Sequence, residues 1–203
     1  MTKTQELFMK WMQNLFYVQC ATLVLALIAM LPFVGSWFSW VIRIATIATI
    51  FVLYKLSPLS TRYLKAAIFM GASVLTTILL KGLGVLAIVG MICSLIAIYQ
   101  EYMGHSELIK EADAKLSKNG NSLFNWEIWG GFLIGGITAP IVVAIGMADS
   151  SNVQFATNVT LVTADAFNII LQLVYLVLLK RMIKVYAEYE PQLEKEVMNE
   201  ISD

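Results

Sequence analysis

Charge is scarce in this chain. Asp, Glu, Lys and Arg make up 14% of its 203 residues, against 59% hydrophobic residues. Soluble domains carry about 25% charged residues, so the composition excludes an ordinary soluble globule. The formal net charge is zero, which removes the electrostatic footprint of a nucleic-acid binder or a polybasic lipid reader. Histidine is nearly absent, with His105 alone, and the two cysteines, Cys20 and Cys93, both lie in apolar runs. They read as small buried hydrophobes rather than a disulfide. Four prolines and no Ser/Gly-rich tract leave no linker, so residues 1–203 form one domain. Walker loops, dinucleotide fingerprints, CxxC and haem motifs are missing too. The expectation is no cofactor, no metal site and no catalytic residue.

What the chain has instead is long apolar runs. A membrane span needs roughly 20 mainly apolar residues. Six stretches meet or approach that length: Leu15–Val34, Trp37–Leu56, Leu64–Leu80, Val85–Met103, Trp126–Ala148 and Phe155–Leu179. Turn signals fall between them in "PFVGS", "SPLS", "KGLG", "KNGNS" and "ADSSN". A cleavable signal peptide with Ala21 to Met30 as its apolar region is the competing reading of the first run. The long leading segment, with Glu6 between Lys3 and Lys10, argues against it.

The basic residues test the span count. With the N-terminus cytoplasmic, all fourteen Lys and Arg residues fall on the cytoplasmic side except Lys81, outside, and Arg43, within a span. A wrong count would scramble that alternation. The predicted fold is therefore an all-α polytopic membrane bundle of six transmembrane helices, with both termini cytoplasmic, in the cell membrane.

Three further segments read as helices. Residues 4–14 put Leu7, Trp11 and Leu15 on one face, with Phe8 and Met12 beside them, as in an interfacial helix. Residues 105–119 put Leu108, Ile109, Ala112 and Leu116 on one face, and Gly120 reads as the stop. Residues 180–203 continue the last span as a charged helix interrupted near Pro191. Similar endings ("ATIFVLYK", "CSLIAIYQ", "LQLVYLVLLK") raise the idea of three repeated hairpins, against which their unequal spacing counts.

The last span carries a polar stripe. At about 100° per residue, Gln154, Thr157, Asn158, Asp165, Asn168 and Gln172 fall within an arc of roughly 100°. Such a stripe cannot face lipid, because an unpaired amide or acid in hydrocarbon costs several kcal/mol. Asp165 lies about 15 Å below the outer end of its span. Ionised Asp at that depth costs roughly 2.5–3.5 kcal/mol on insertion scales. Arg43, about 9 Å below the outer end of the second span, is the predicted partner, with Thr46 and Thr49 further in. Asp165, Asn158, Asn168, Gln172 and Arg43 are thus the candidate ligand-binding residues. The bland alternative is a packing network between helices.

Other motifs weigh less. "WGGFLIGGITAP" holds Gly131 and Gly135 as a GxxxG pair before Pro140, which reads as close helix packing. Glu101 precedes His105 by four residues, but Gly104 reads as a helix break that separates them, and zincin spacing is missing. Ser73 in "GAS" has no histidine in reach. Asn158-Val159-Thr160 matches a glycosylation sequon at a span edge.

The sequence thus predicts a multi-pass membrane protein that binds or transports a small solute among its helices, with a separate energising partner as an option. The alternative is a scaffold or regulatory subunit that packs its stripe on a membrane protein partner or a second copy. An intramembrane enzyme built on Glu101 and His105 ranks last.

Overall fold

The computed structural model describes residues 3–29, 38–79, 84–148 and 153–202. Most of "PFVGS", "KGLG" and "ADSSN" lies outside them. Among the described residues the fold is all-α, with six helices. They are α1 (Lys3–Ala29), α2 (Phe38–Leu56), α3 (Thr61–Leu79), α4 (Gly84–Ile109), α5 (Ala114–Ala148) and α6 (Val153–Ser202). By length and composition, two stretches among the described residues are apolar enough to cross a membrane, Glu6–Ala29 and Val162–Tyr189.

Each helix packs on its neighbours in the chain, and α1 also packs on α6, so the six form a closed ring. Across it, α4 touches α6. Packing is densest at one end, where Leu15, Leu53, Leu56, Tyr63, Ile109 and Leu179 are almost completely buried. That end corresponds to the side on which the basic residues gather. The outward faces are apolar on every helix: Leu27, Ile44, Ile68, Met91, Leu133 and Val177 are all exposed. Meanwhile Glu101, His105, Ser106 and Ser117 are buried.

Several boundaries differ from the sequence reading. Residues 4–14 do not lie apart as an interfacial helix; they are the first turns of α1 and enter the core. Phe8 and Met12 are buried, and Phe8 stacks on Tyr186 with ring centroids 3.9 Å apart. Apolar contact with the α6 tail outcompetes an interfacial position. Residues 105–119 are not one helix either. The α4 helix runs to Ile109, the chain turns, and Asp113 caps α5 by accepting the Leu116 N–H at 2.9 Å. Across this corner the Ser106 and Ser117 hydroxyls lie 2.6 Å apart.

Gly104 and Gly120 do not stop their helices. "KNGNS" lies inside α5, and Gly120 sits against Met182, where a side chain would meet the Met182 methyl at 3.5 Å. Gly104 lies inside α4, against the Tyr63 ring. Both helices pass through because a buried contact offsets the propensity cost of about 1 kcal/mol. Further along α5, Gly130 stands against Phe167, while Gly131 has open space beside it. Pro140 lies within α5 and Pro191 within α6, so the predicted interruption of the tail is not seen. "SPLS" does form the α2–α3 turn, closed by Leu59 N–H to the Leu56 carbonyl at 2.9 Å. Cys20 and Cys93 are free and half-buried.

Candidate functional site

The continuity of α4 through Gly104 decides what the interior contains. An unbroken helix places Glu101 and His105 one turn apart on the same face. There, His105 Nε2 lies 3.8 Å from Glu101 Oε1. Both side chains are buried, with residue exposures of 4% for Glu101 and 2% for His105. Gly104 leaves the space that the Tyr63 ring of α3 fills; a Cβ at that position would stand 3.1 Å from Tyr63 Cε1.

Four side chains from α3, α4 and α6 then make a continuous chain of hydrogen bonds. The Tyr63 hydroxyl is 2.7 Å from His105 Nδ1, and His105 Nε2 is 2.8 Å from the Tyr175 hydroxyl. Tyr175 in turn donates to Glu101 Oε1 at 2.5 Å. Proton bookkeeping fixes the ordering when Glu101 is ionised. A carboxylate only accepts, so the Tyr175 proton points to it, and the Tyr175 oxygen accepts from His105 Nε2–H. In the neutral imidazole of that ordering, Nδ1 is the acceptor for the Tyr63 hydroxyl. Burial raises the Tyr63 phenol well above its ordinary range, with the Glu101 and Glu107 carboxylates adding to the effect. It is therefore a donor at neutral pH.

Glu101 and Tyr175 also border a cavity of about 380 Å³ within the ring. Gln19 of α1, Met70 of α3, Ile98 and Tyr102 of α4, Glu127 of α5, and Asn168, Leu171 and Gln172 of α6 complete its lining. Glu127 accepts a hydrogen bond from Tyr102. Gln172 Nε2 donates to the Gln19 carbonyl at 3.3 Å. The cavity therefore combines carboxylates, side-chain amides, phenol rings and a few apolar walls, a composition that can orient a small polar molecule.

Known proteins offer no guide. Comparison with family models, curated proteins and solved structures gives no match for this chain.

The geometry of the site brings together part of the predicted constellation. Asn168 and Gln172 line the cavity. Asp165 is not among the lining residues; it is exposed, as Asn168 is, and no described residue of α6 before Tyr175 is buried. The reason is the position of the core, whose α6 face runs through Tyr175, Leu179 and Met182. Asp165 lies beyond its upper end, rotated from Tyr175 by about 80° at 100° per residue. Arg43 does not pair with Asp165. Its guanidinium lies over the Trp40 ring, 4.7 Å from the centroid, and α1 stands between α2 and α6. The Thr46 and Thr49 hydroxyls donate to the Ile42 and Ala45 carbonyls of their own helix. Asn158 lies within α6, but its side chain is outside the described residues.

The residues that sequence reasoning passed over are Tyr63, Tyr102, Glu127 and Tyr175. Asn168, Gln172 and Tyr175 have the i, i+4, i+7 spacing of one helical face, so extending the stripe to tyrosine would have reached Tyr175. Nothing in the sequence pairs Tyr63 with His105.

Proposed function

We propose that the chain is a six-span membrane bundle, with both termini cytoplasmic, that binds or transports a small polar solute in the cavity between α1, α4, α5 and α6. The membrane part of this reading is supported by exposed aliphatic side chains on all six helices, combined with buried Glu101 and His105. Soluble proteins distribute these types the other way round. Trp40 is exposed near the start of α2, and Trp126 and Trp129 are exposed inside α5 where its apolar run begins, positions that interfacial anchors would take.

The observation that carries the solute reading is the cavity itself. It gathers Glu101, Glu127, Asn168 and Gln172 in one lining, with Glu101 buried, Glu127 and Gln172 half-buried and Asn168 exposed. Polar groups inside a membrane bundle are expensive, and they are kept where they serve a pathway or a ligand. Melting curves of the detergent-purified protein against a library of amino acids, small amines, sugars and organic acids test this. A cavity ligand raises the midpoint of the wild type and loses its effect in Gln172→Leu and Glu127→Gln. A library whose active compounds stabilise wild type and both variants equally would sink the reading.

A second reading has its own observation. Asp165 is exposed on α6 at a depth where lipid would surround it, and a partner helix or a second copy would cover that cost. Co-purification of a membrane protein that is lost on Asp165→Leu would support a scaffold or regulatory role.

A further inference from the structure

We propose that the solute taken by this cavity is a small organic cation, an alkylammonium ion. The inference rests on the solute reading above and narrows it to one chemical class. Glu101 of α4 and Glu127 of α5 both line the cavity, whereas no lysine, arginine or histidine among the described residues does. Arg62 is held by Glu107 and also donates to Gln100 at 3.3 Å. His105 Nε2 stays 3.8 Å from Glu101 Oε1 and bonds the Tyr175 hydroxyl instead. A carboxylate kept from water without a cation is costly. An ammonium group entering the cavity supplies the missing charge.

The rest of the lining suits the same class. Among the described residues, both contacts of the buried Glu101 carboxylate, from Tyr175 and His105, fall on Oε1, which leaves Oε2 for the cavity. Tyr102 and Tyr175 donate to Glu127 and Glu101 respectively, and their rings stand 5.1 Å apart on the cavity wall. A tyrosine face attracts an ammonium ion within about 6 Å of the ring centroid. Gln172 gives its Nε2–H to the Gln19 carbonyl, so its Oε1 remains as an acceptor for an N–H group. Met70, Ile98 and Leu171 supply apolar wall for an alkyl part. A metal ion is a poorer match, because no group of three His, Cys, Asp or Glu side chains among the described residues could hold one. The lining runs from buried Glu101, Tyr102 and Tyr175 to exposed Asn168, so the cavity opens at the Asn168 end.

Probes of matched shape separate charge from size. They are choline, its uncharged isostere in which a tert-butyl group replaces the trimethylammonium group, and the carboxylate anion of the same tert-butyl skeleton. Methylammonium and butylammonium extend the cations to primary amines. The experiment is the melting midpoint of the detergent-purified full chain, titrated with each probe at constant ionic strength. At least one ammonium ion is expected to raise the wild-type midpoint, and the alcohol and the anion are not. Glu127→Gln keeps an acceptor for Tyr102 but removes a charge, and should weaken the apparent affinity for that ion about tenfold or more. Glu101→Gln serves in its place if Glu127→Gln does not fold. An alcohol or anion that stabilises as well as the ammonium ions would overturn the proposal and leave the solute reading standing. An ammonium effect unchanged in the variants would also overturn it, by placing the ion elsewhere. So would a chain that no ammonium ion stabilises; the solute reading falls with it only if the wider library of uncharged and anionic compounds is silent too.

Discussion

The Tyr175 hydroxyl stands between two partners, 2.8 Å from His105 Nε2 and 2.5 Å from Glu101 Oε1. It therefore joins α6 to α4 at the centre of the ring. Removing that oxygen orphans a buried carboxylate oxygen and a buried ring nitrogen together. An unsatisfied buried group costs about 1–3 kcal/mol. Tyr175→Phe is expected to lower stability by more than Tyr63→Phe, which orphans only His105 Nδ1. Unfolding of both variants in mixed micelles by a denaturing detergent measures the difference. Equal losses would show that Tyr175 does not bridge.

Glycine supplies a second comparison. Gly104→Ala places a methyl against the Tyr63 ring, and over-packing of this kind costs about 1–3 kcal/mol. Gly131→Ala meets open space and should gain up to about 1 kcal/mol from helix propensity. Melting temperatures of the two variants should move in opposite directions from wild type. A Gly104→Ala protein as stable as wild type would mean that the Tyr63 ring does not occupy the position described.

These relationships show what sequence could and could not supply. The six apolar runs correspond to six helices in order, because the length and composition of each run reflect a property of the segment itself. The stripe on α6 put Asn168 and Gln172 on one face, and both line the cavity, because helical spacing is local. Spacing could not say that Asp165 and Arg43 lie apart and outside this cavity, because that depends on where the core lies along the helix and which helix is adjacent. Glu101 and His105 were discounted on a local rule about Gly104. That rule was overridden by a tyrosine from another helix, forty-one residues earlier in the chain. The Asn125-to-Glu127 stretch gave no signal at all, since a lone Glu at a span edge reads as an interfacial charge.

Asp165 and Glu101 should respond differently to neutralisation. Asp165 is exposed and has no ion pair with Arg43, so Asp165→Asn should leave the melting temperature of the isolated chain unchanged or raise it. Glu101→Gln replaces the acceptor of a charge-assisted bond, worth about 1.5–3 kcal/mol, and should lower it. Thermal melts of the two variants in detergent, each against wild type, test the assignment. A larger loss at Asp165 would return the polar stripe to the centre of the account.

The most direct test of the whole account is which side of the membrane the connections occupy. In a background with Cys20 and Cys93 replaced by serine, single cysteines are introduced as Ser60→Cys, Ala112→Cys and Ser151→Cys. Intact cells are then treated with a membrane-impermeant maleimide, and permeabilised cells serve as the control. Six spans predict labelling of the position 151 cysteine from outside, and labelling at 60 and 112 only after permeabilisation. External labelling at 60 or 112 would contradict the six-span bundle, and so would protection at 151. The cavity would then lose the membrane setting from which its function is argued.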